Sequence, residues 1–529
     1  LKDQLYNARI EAHNRAHSFF VPRPVLEELI SVPAVTDAIV SRVIDFDVSE
    51  ATLLAEEVCK CGRRLFATLV AINKVADIDL LLKEGITDED LPFVRKPDSR
   101  RRFALYRKGG QVIKTFESWR DQDLEQFDRS QWWMMAPIFR LNEGLQILDD
   151  NIILPFVPLG SLGEKLEHKQ GGYSEVYPVR VHPAHHTFWA VNGLIYQEDE
   201  PLVAVKRLFS SDQMEFLKEA AILTSLSSNH HPHLIKLLAT YKHEGRYHFM
   251  FPYANANLRT YWDDRPSPTF DRDTVLWSLR QMTGIANGLL RIHSFSDAVP
   301  LQADSETDMT RGPRGTELIA RHGEAMFGRH GDLKPENLLW FRQDHESQDP
   351  KGILQIADFG LGRFHRRDSR SGINPETVQS SPTYEPPECK LRQPVSRAYD
   401  IWSLGCVFLE FMTWLLEGTE QIEGFSEFRG RVETNTGIDD DNFFTIVKGA
   451  DGAHAVLREG VITWKDRLHT NENCSQLIHD LLDLTMSQLL VIDARKRCTS
   501  AWLLQQLRMY LQRAEHDEEY MLRPAPHAP

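Results

Sequence analysis

The chain has 529 residues, with 42% hydrophobic and 26% charged residues and a formal net charge of −15. At about 100 to 200 residues per domain this length predicts two or three domains, and the composition excludes collagenous, low-complexity and wholly disordered classes. The acidic balance provides no overall attraction to phosphate backbones or anionic lipid, so we expect no nucleic-acid partner.

Six cysteines are scattered along the chain. They are too few for a disulfide framework, which favours reduced thiols and an intracellular location, cytoplasmic or nuclear. Cys59 and Cys61 form an isolated C-x-C, where we expect ordinary helix or turn residues rather than a zinc site. No apolar run approaches the ~18 to 20 residues of a membrane span, so we expect none. The first residues, from Leu1, lack the layout of a signal peptide.

Residues 1–157 form a region whose apolar residues recur mostly at helical spacing. Gly85 predicts the end of one helix, and residues 87–90 predict the start of the next. We assign this region no chemistry and leave a protein partner for it open. Its aromatic residues are expected to pack in a core rather than form a partner surface: Phe116, Trp119, Phe127, Trp132, Trp133 and Phe139.

The pattern then changes to that of a sheet carrying one helix. Residues 175–177, 202–206 and 249–251 are typical of strands, and residues 214–226 are typical of a helix.

Beyond Leu258 the apolar spacing is helical to about Leu511. A polar stretch at residues 296–328 predicts an exposed insertion, either a docking element or a tolerated surface loop. The charged, Pro-rich residues 514–529 predict a flexible tail.

The segment from His330 to Asn337, followed by Asp358, carries groups suited to phosphoryl transfer. That reaction needs a carboxylate to orient an incoming hydroxyl and accept its proton, a role that Asp332 can fill. Asn337 and Asp358 offer the oxygen ligands that Mg²⁺ prefers. Lys334, two residues after Asp332, can counter the charge of the moving phosphoryl group.

A second group of candidates lies upstream. Val203–Lys206 places a lysine on a predicted strand, where Lys206 can hold the α- and β-phosphates of a nucleotide. Glu219, on the following predicted helix, can pair with Lys206, and such a pair would mark an assembled site.

In this order the motifs resemble the eukaryotic protein kinase family over about residues 160–511. The resemblance implies an α+β, bilobal kinase fold with ATP in the cleft between an N-lobe at about 158–254 and a C-lobe at about 255–513. An all-α region at residues 1–157 would precede it. That extension is faintly similar to helical regions before kinase domains in fungal proteins, which assigns it no function.

Further matches to the family are structural. Tyr384–Glu388 stands for its Ala-Pro-Glu motif, and Asp400 begins the segment that matches its buried helix. The resemblance implies an internal ion pair between Glu388 and Arg497, and it implies that Asp400 holds the backbone of the catalytic loop.

The resemblance also implies a substrate class and a nucleotide site. Lys334 after Asp332 is similar to the serine/threonine branch, and Ser381 matches the hydroxyl residue of that branch ahead of Tyr384. The implied adenine-site residues are Val176 and Ala204 above the ring, Leu339 below it, Phe251 as gatekeeper, and Tyr253 and Ala254 in the hinge.

The sequence departs from the family at two motifs. The three expected glycines of the glycine-rich loop fall at Lys169, Gly171 and Ser174, so Gly171 remains, with Gly172 beside it. Side chains at the outer positions hinder backbone approach to the phosphates. Gly331 replaces the arginine that receives an activation-loop phosphate in many members, so we expect no control by that route.

Two functions are consistent with these motifs and departures. The first is a protein kinase that transfers the γ-phosphoryl group of Mg-ATP to a serine or threonine hydroxyl of a protein substrate. The alternative is a pseudokinase, a scaffold that binds partners with little or no turnover. A small-molecule kinase is disfavoured because Pro387, Glu388 and the preceding segment resemble a peptide-substrate platform.

Overall fold

The computed structural model describes most of the chain. The described residues are 1–13, 15–41, 47–99, 101–160, 168–191, 194–195, 202–228, 231–294, 329–342, 349–358, 382–393, 395–432, 440–449 and 452–527. The predicted insertion at 296–328, together with Phe359, Gly360 and Ser381, lies outside them. The chain forms two compact units, Leu1–Phe216 with Leu237–Tyr253, and Leu217–Lys236 with Ala254–Pro529.

The first unit begins with the predicted helical region. Its helices are α1 (Lys2–Asn7), α2 (Arg23–Leu29), α3 (Val32–Val40), α4 (Val48–Cys61), α5 (Arg63–Ala71), α6 (Ile78–Lys83) and α7 (Asp121–Ser130). Two short antiparallel pairs, β1 (Ile10–Glu11) with β2 (Phe19–Phe20) and β3 (Val94–Lys96) with β4 (Ala104–Tyr106), interrupt the helices. Phe116, Trp119 and Phe127 are buried in the core of this region, which confirms their predicted packing role.

The prediction of a helix that begins after Gly85 is wrong. Residues 87–90 form turns instead, and the carboxylate of Asp88 accepts the backbone N–H groups of Arg64 and Leu65 at 3.0 and 2.9 Å. Asp88 therefore caps the start of α5, a helix that precedes it in the chain. Asp88 was expected to cap a helix that follows it, but it caps a helix formed by residues earlier in the chain.

The rest of the first unit is built on a mixed sheet. Its strands follow the order β5-β12-β13-β11-β8-β6, and β7 pairs with β8. The predicted strands are confirmed in β8, β11 and β13. The bounds of these strands are β5 (Leu145–Ile147), β6 (Phe156–Val157), β7 (Lys169–Gln170), β8 (Ser174–Val181), β11 (Leu202–Leu208), β12 (Ala239–His243) and β13 (Arg246–Pro252). Strands β9 (Ala190–Val191) and β10 (Leu194–Ile195) form a separate antiparallel pair.

This sheet starts earlier than the sequence predicts. Residues 145–147 pair in parallel with β12, and residues 156–157 pair with β8, although both segments were expected in the all-α region ending at 157. Phe139, Leu154 and Phe156 are buried in the core beneath the sheet. The helical expectation fails here because strands this short carry too few residues for their period to be visible.

The second unit is mainly helical. Helix α8 (Gln213–Ser228), predicted at 214–226, crosses the division between the units at Phe216. A small sheet joins β14 (Ala256–Asn257), β15 (Leu338–Phe341) and β16 (Ile353–Ile356), and β17 (Phe444–Gly449) pairs with β18 (Gly452–Leu457). The helices are α9 (Leu258–Asp263), α10 (Arg272–His293), α11 (Pro387–Lys390), α12 (Ala398–Glu417), α13 (Thr419–Val432), α14 (Glu459–His469), α15 (Gln476–Leu484), α16 (Ser500–His516) and α17 (Glu518–Leu522).

Helix α12 is the candidate membrane span among the described residues, by length and composition alone. The expectation that no apolar segment approaches that length is therefore wrong. The whole apolar window is buried inside the unit, and α12 also carries the buried carboxylates of Asp400 and Glu410. A core helix passes the same test of length and composition, so the finding is weak evidence for a span.

The prediction of a flexible tail after Arg513 is also wrong. Helix α16 continues to His516 and α17 follows it, with Tyr520 and Met521 buried. The Tyr520 hydroxyl donates to Asp480 at 2.7 Å, and the N–H of Ala525 donates to the carbonyl of Cys474 at 3.0 Å. Burial of a few apolar side chains holds a segment whose composition suggested disorder.

Candidate active site

The backbone before Asp332 is anchored by one buried carboxylate. Asp400, in the first turn of α12, accepts the N–H groups of His330 and Gly331 at 2.9 and 2.8 Å. It also contacts His293 Nε2 at 2.8 Å. Burial alone would raise the pKa of Asp400, but the bonds from His293 and Gly331 outweigh it and lower that pKa. Asp400 thus has the role that the family resemblance implies.

Gly331 has a φ of +77°, a conformation that side chains rarely adopt. This turn lets both neighbouring N–H groups face Asp400. The ring of His330 continues the anchoring, because Nδ1 accepts the N–H of Asp332 at 3.2 Å and Nε2 lies 3.0 Å from the carbonyl of Ala357. This bonding assigns the ring proton to Nε2. The loop is therefore tied to the chain just before Asp358.

Two side chains of the same loop hold the Asp332 carboxylate. Lys334 Nζ lies 3.0 Å from Oδ2, and Asn337 Nδ2 donates to Oδ2 at 3.1 Å and to the Asp332 carbonyl at 2.8 Å. The side chains of Asp332 and Lys334 are each 21% exposed, so the carboxylate is oriented but accessible. A fixed, partly exposed carboxylate is what a proton acceptor for a bound hydroxyl requires.

The two predicted metal ligands lie at one end of a hairpin. Asn337 immediately precedes β15, and Asp358 follows β16 by two residues. Because these strands are antiparallel, the start of β15 and the end of β16 meet, and the N–H of Ala357 donates to the Asn337 carbonyl at 2.9 Å. Asp358 is exposed and has a φ of +57°. Leu339, an implied adenine-site residue, lies in β15 of the same hairpin.

Four predicted nucleotide-site residues share one face of the sheet in the first unit. Ala204 lies opposite Phe251, and Lys206 lies opposite Val176. Residues directly opposite in a ladder, and residues two apart in a strand, point to the same side. Val203 and Val205 point to the other side, where they are buried in the core. Tyr253 ends this unit and Ala254 begins the second segment of the other.

The remaining glycines form a tight turn. Strand β7 pairs with the start of β8, and the N–H of Gly171 donates to the carbonyl of Ser174 at 2.8 Å. Lys169, at an expected glycine position, lies in the ladder opposite Val176. Gly171 and Gly172 thus lie in a hairpin turn beside the face that carries Lys206.

Glu219 lies in α8 and is half-buried, whereas Lys206 lies in β11. The two residues belong to different compact units. Their pairing remains a prediction of the sequence.

A buried network beside the catalytic loop was missed in the sequence. Arg259 contacts Glu410 at 3.0 Å and Glu336 at 3.6 Å, and the Tyr384 hydroxyl donates to Glu410 at 2.8 Å. Burial alone would lower the pKa of Arg259, but Glu410 and its neighbours raise it. The available signal was Glu410 itself, a carboxylate in the middle of an apolar helix, which must be paired when buried.

The implied ion pair is confirmed. Arg497 donates two bonds of 2.8 Å to the Glu388 carboxylate, and both side chains are almost fully buried. Arg497 also donates to the carbonyl of Ala398, which ties the pair to the start of α12.

Comparisons with known proteins agree with this geometry. The model of the protein kinase domain family matches residues 322–507. Cyclin-dependent kinase 4 of Ovis aries and of Sus scrofa are each 26% identical over 199 residues, which is 37% of this chain. The mouse (Mus musculus) protein of the same name is also 26% identical over 199 residues. The chain spans about half the length of these curated relatives, since 50% of each is covered. Its described structure is α+β, and residues 322–507 match a protein kinase domain.

Proposed function

We propose that the chain is a serine/threonine protein kinase that transfers the γ-phosphoryl group of Mg-ATP to a hydroxyl of a protein substrate. The observation that carries this proposal is the Asp332 carboxylate, oriented by Lys334 at 3.0 Å and Asn337 at 3.1 Å on a loop anchored to Asp400. Such preorganisation supplies most of the catalysis in phosphoryl transfer.

Each group of the loop has a distinct role in this mechanism. Asp332 orients the substrate hydroxyl and takes its proton as the oxygen attacks. Lys334, already beside that carboxylate, counters the negative charge that develops on the transferred group. Lys334 at this spacing resembles the serine/threonine branch, which supports a serine or threonine acceptor.

The donor set fits a magnesium–nucleotide complex. Asn337 uses its amide nitrogen for Asp332, so the amide oxygen is the atom it would offer to a cation. Asp358 would supply a second hard oxygen ligand from the other strand, at the same end of the hairpin. When Mg-ATP is bound, the nucleotide supplies the γ-phosphoryl group and the Mg²⁺ ion neutralises part of the phosphate charge. Lys206 would hold the α- and β-phosphates.

The test is phosphate transfer by the purified chain from labelled ATP with Mg²⁺ to mixed basic and acidic protein substrates. We expect Asp332→Asn to lower kcat by about 10²- to 10⁴-fold, the usual worth of a positioned proton acceptor. Asp264→Asn is the matched control, because Asp264 is exposed at the end of α9 and should leave kcat unchanged. Equal rates for wild type and Asp332→Asn would contradict the proposal.

The alternative is a pseudokinase scaffold, and one observation favours it. Of the three expected glycines only Gly171 is present, and lysine occupies position 169, opposite Val176 in the ladder. In that case the wild-type chain would bind Mg-ATP, measured by calorimetry, yet transfer no more phosphate than Asp332→Asn. The Lys206→Met variant distinguishes an active kinase from a pseudokinase, because it should strongly lower the rate of phosphate transfer only in an active kinase.

A further inference from the structure

Three histidines meet in the second unit, at a place that none of the kinase motifs uses. His469 ends α14, His479 lies in α15, and His527 lies in the segment after α17. One ring nitrogen from each lies within 4.8 Å of the others. The rings of His469 and His527 are stacked with centroids 3.8 Å apart. His469 and His479 are buried.

One nitrogen of each ring faces an oxygen acceptor. His479 Nε2 lies 2.8 Å from the carbonyl of Ala525, and His527 Nε2 lies 3.1 Å from Asp483 Oδ2. His469 Nε2 lies 3.5 Å from Asp483 Oδ1. Histidines that bind a metal through one nitrogen usually donate the other N–H to a carboxylate or carbonyl, and this is that pattern.

The nitrogens on the other side of two rings face each other. His469 Nδ1 and His479 Nδ1 are 2.7 Å apart, and His479 Nδ1 is also 3.5 Å from Cys474 Sγ. If both rings carry their proton on Nε2, two lone pairs meet at this distance. If His469 carries it on Nδ1, its buried Nε2 presents a lone pair to a carboxylate.

Among the described residues, Nε2 of His469 has no hydrogen-bond partner, although the His469 side chain is only 4% exposed. Both arrangements therefore leave a lone pair of His469 facing another lone pair or a carboxylate. A cation bound between the Nδ1 atoms of His469 and His479 would remove this conflict, because each lone pair would then face the cation.

We propose that His469, His479 and His527 bind a Zn²⁺ ion through their Nδ1 atoms, with Cys474 as the fourth ligand and Asp483 as the carboxylate that orients two of the rings. Imidazole nitrogen and thiolate sulfur are both ligand types of zinc, and a structural site holds four such ligands in a tetrahedron. Zn–N distances of about 2.0–2.1 Å and a Zn–S distance of about 2.3 Å place nitrogen and sulfur ~3.5 Å apart in a tetrahedral site. The 3.5 Å between His479 Nδ1 and Cys474 Sγ matches this value. The Nδ1 atoms of His469 and His479, 2.7 Å apart, would have to separate to about 3.3 Å when the ion binds. Cys474 would bind as thiolate and release its proton to solvent.

The site would be structural rather than catalytic. It joins the end of α14, helix α15 and the segment after α17, three parts of the chain that are otherwise connected there by bonds such as Ala525 N–H to Cys474. Four protein ligands leave no open position for a substrate.

The test is Zn²⁺ binding by the full chain, purified without a polyhistidine tag, stripped with a chelator and titrated against a competing zinc indicator. We expect one equivalent of Zn²⁺ to bind and to raise the thermal unfolding midpoint. His527→Ala and Cys474→Ser should each weaken binding more than about 100-fold, whereas Asp483→Asn should weaken it by about 10- to 100-fold as an outer partner. His454→Ala, an exposed histidine in β18, is the matched control and should bind as wild type.

A second measurement covers variants that fold poorly. Titration of the stripped wild-type chain with Co²⁺ should produce the visible absorption of a tetrahedral thiolate site, with no need for a variant. Absence of a one-equivalent Zn²⁺ site, or wild-type affinity in both His527→Ala and Cys474→Ser, would overturn the proposal. These readouts do not depend on phosphate transfer.

Discussion

Asp400 is a buried carboxylate with three donors, and its protonation should be visible in the pH dependence of stability. Its folded pKa is lowered, so its contribution is present above the unfolded value of about 3.9 and is lost as pH falls through the folded pKa. We expect Asp400→Asn to be less stable than wild type at pH 7. The gap should stay constant down to about pH 5 and shrink below about pH 4.

The measurement is urea unfolding of both proteins at several pH values between 3 and 7. Asp264→Asn, at an exposed position, should show no gap that changes with pH. A gap between wild type and Asp400→Asn that is as large at pH 3 as at pH 7 would contradict a charged, bond-accepting Asp400.

The Glu388–Arg497 pair makes a second prediction for single residues. Arg497→Met leaves the Glu388 carboxylate buried without its two 2.8 Å bonds, which costs about 3–5 kcal/mol of unfolding free energy. Adding Glu388→Gln should recover part of this loss, because it removes the uncompensated charge.

Denaturant unfolding of the single and double variants provides these values. Arg495→Met is the matched control, since Arg495 pairs with Asp493 on the surface with its side chain 89% exposed. The control should leave the unfolding midpoint unchanged. If Arg497→Met behaved like Arg495→Met, the buried pair would have no structural role.

Helix α10 passes very close to the segment that follows α8, and a glycine makes this approach possible. A Cβ atom on Gly284 would lie 1.9 Å from His233 Nε2. The His233 ring cannot move aside freely, because its Nδ1 is bonded to the Leu354 carbonyl at 2.8 Å. Gly284→Ala should therefore destabilise the chain by about 1–3 kcal/mol, although alanine is the better helix former.

Gly424 is the matched helical glycine. It lies inside α13, and its added Cβ would meet only ordinary contacts at 3.6 Å or more. Gly424→Ala should stabilise the chain by about 0.5–1 kcal/mol. Unfolding of the two variants side by side checks the sign of each change, and a stabilising Gly284→Ala would show that the two elements separate without cost.

At the scale of the molecule, the extent of the sheet determines where the chain can be cut. A fragment 158–529 lacks β5, β6 and the buried side chains of Phe139, Leu154 and Phe156. Each such side chain contributes about 1.5–3 kcal/mol, which is large against a total stability of about 5–15 kcal/mol. We expect this fragment to be far less soluble and to melt lower than fragment 136–529.

The comparison requires expression of both fragments and of the full chain, with soluble yield and thermal unfolding midpoint as readouts. Fragment 136–529 keeps every strand of the sheet, so it controls for loss of the helical region as such. Equal midpoints for the two fragments would show that β5 and β6 do not stabilise the sheet.

The catalytic loop could be identified from the sequence because its groups are close along the chain. Asp332, Lys334 and Asn337 lie within six residues, so one short turn brings them together whatever surrounds it. Strands β8 and β11 were predictable for a similar reason, since a period of two residues is a local property. The place of Asp400 came from family resemblance rather than from spacing.

Contacts between distant residues required the folded chain. Arg259 meets Glu410 across 151 residues, and Asp88 caps a helix that ends before it in the sequence. Cys59 and Cys61, expected to be ordinary helix or turn residues, both lie in α4, and their thiols donate to the carbonyls of Ile30 and Glu57. The candidate metal cluster lies instead at three irregularly spaced histidines, of which only His527 is in the predicted tail.

Local periodicity and motif spacing thus indicated the resemblance to kinases, strands β8, β11 and β13, and the order of the catalytic groups. Tertiary structure decided which buried charges are paired, where the sheet begins and that the segment around Tyr520 and Met521 packs. The physical reason is that a buried polar group or a short edge strand takes its partner from whichever segment lies beside it in space. Those neighbours follow from the topology of the chain, which the spacing of residues along it does not encode.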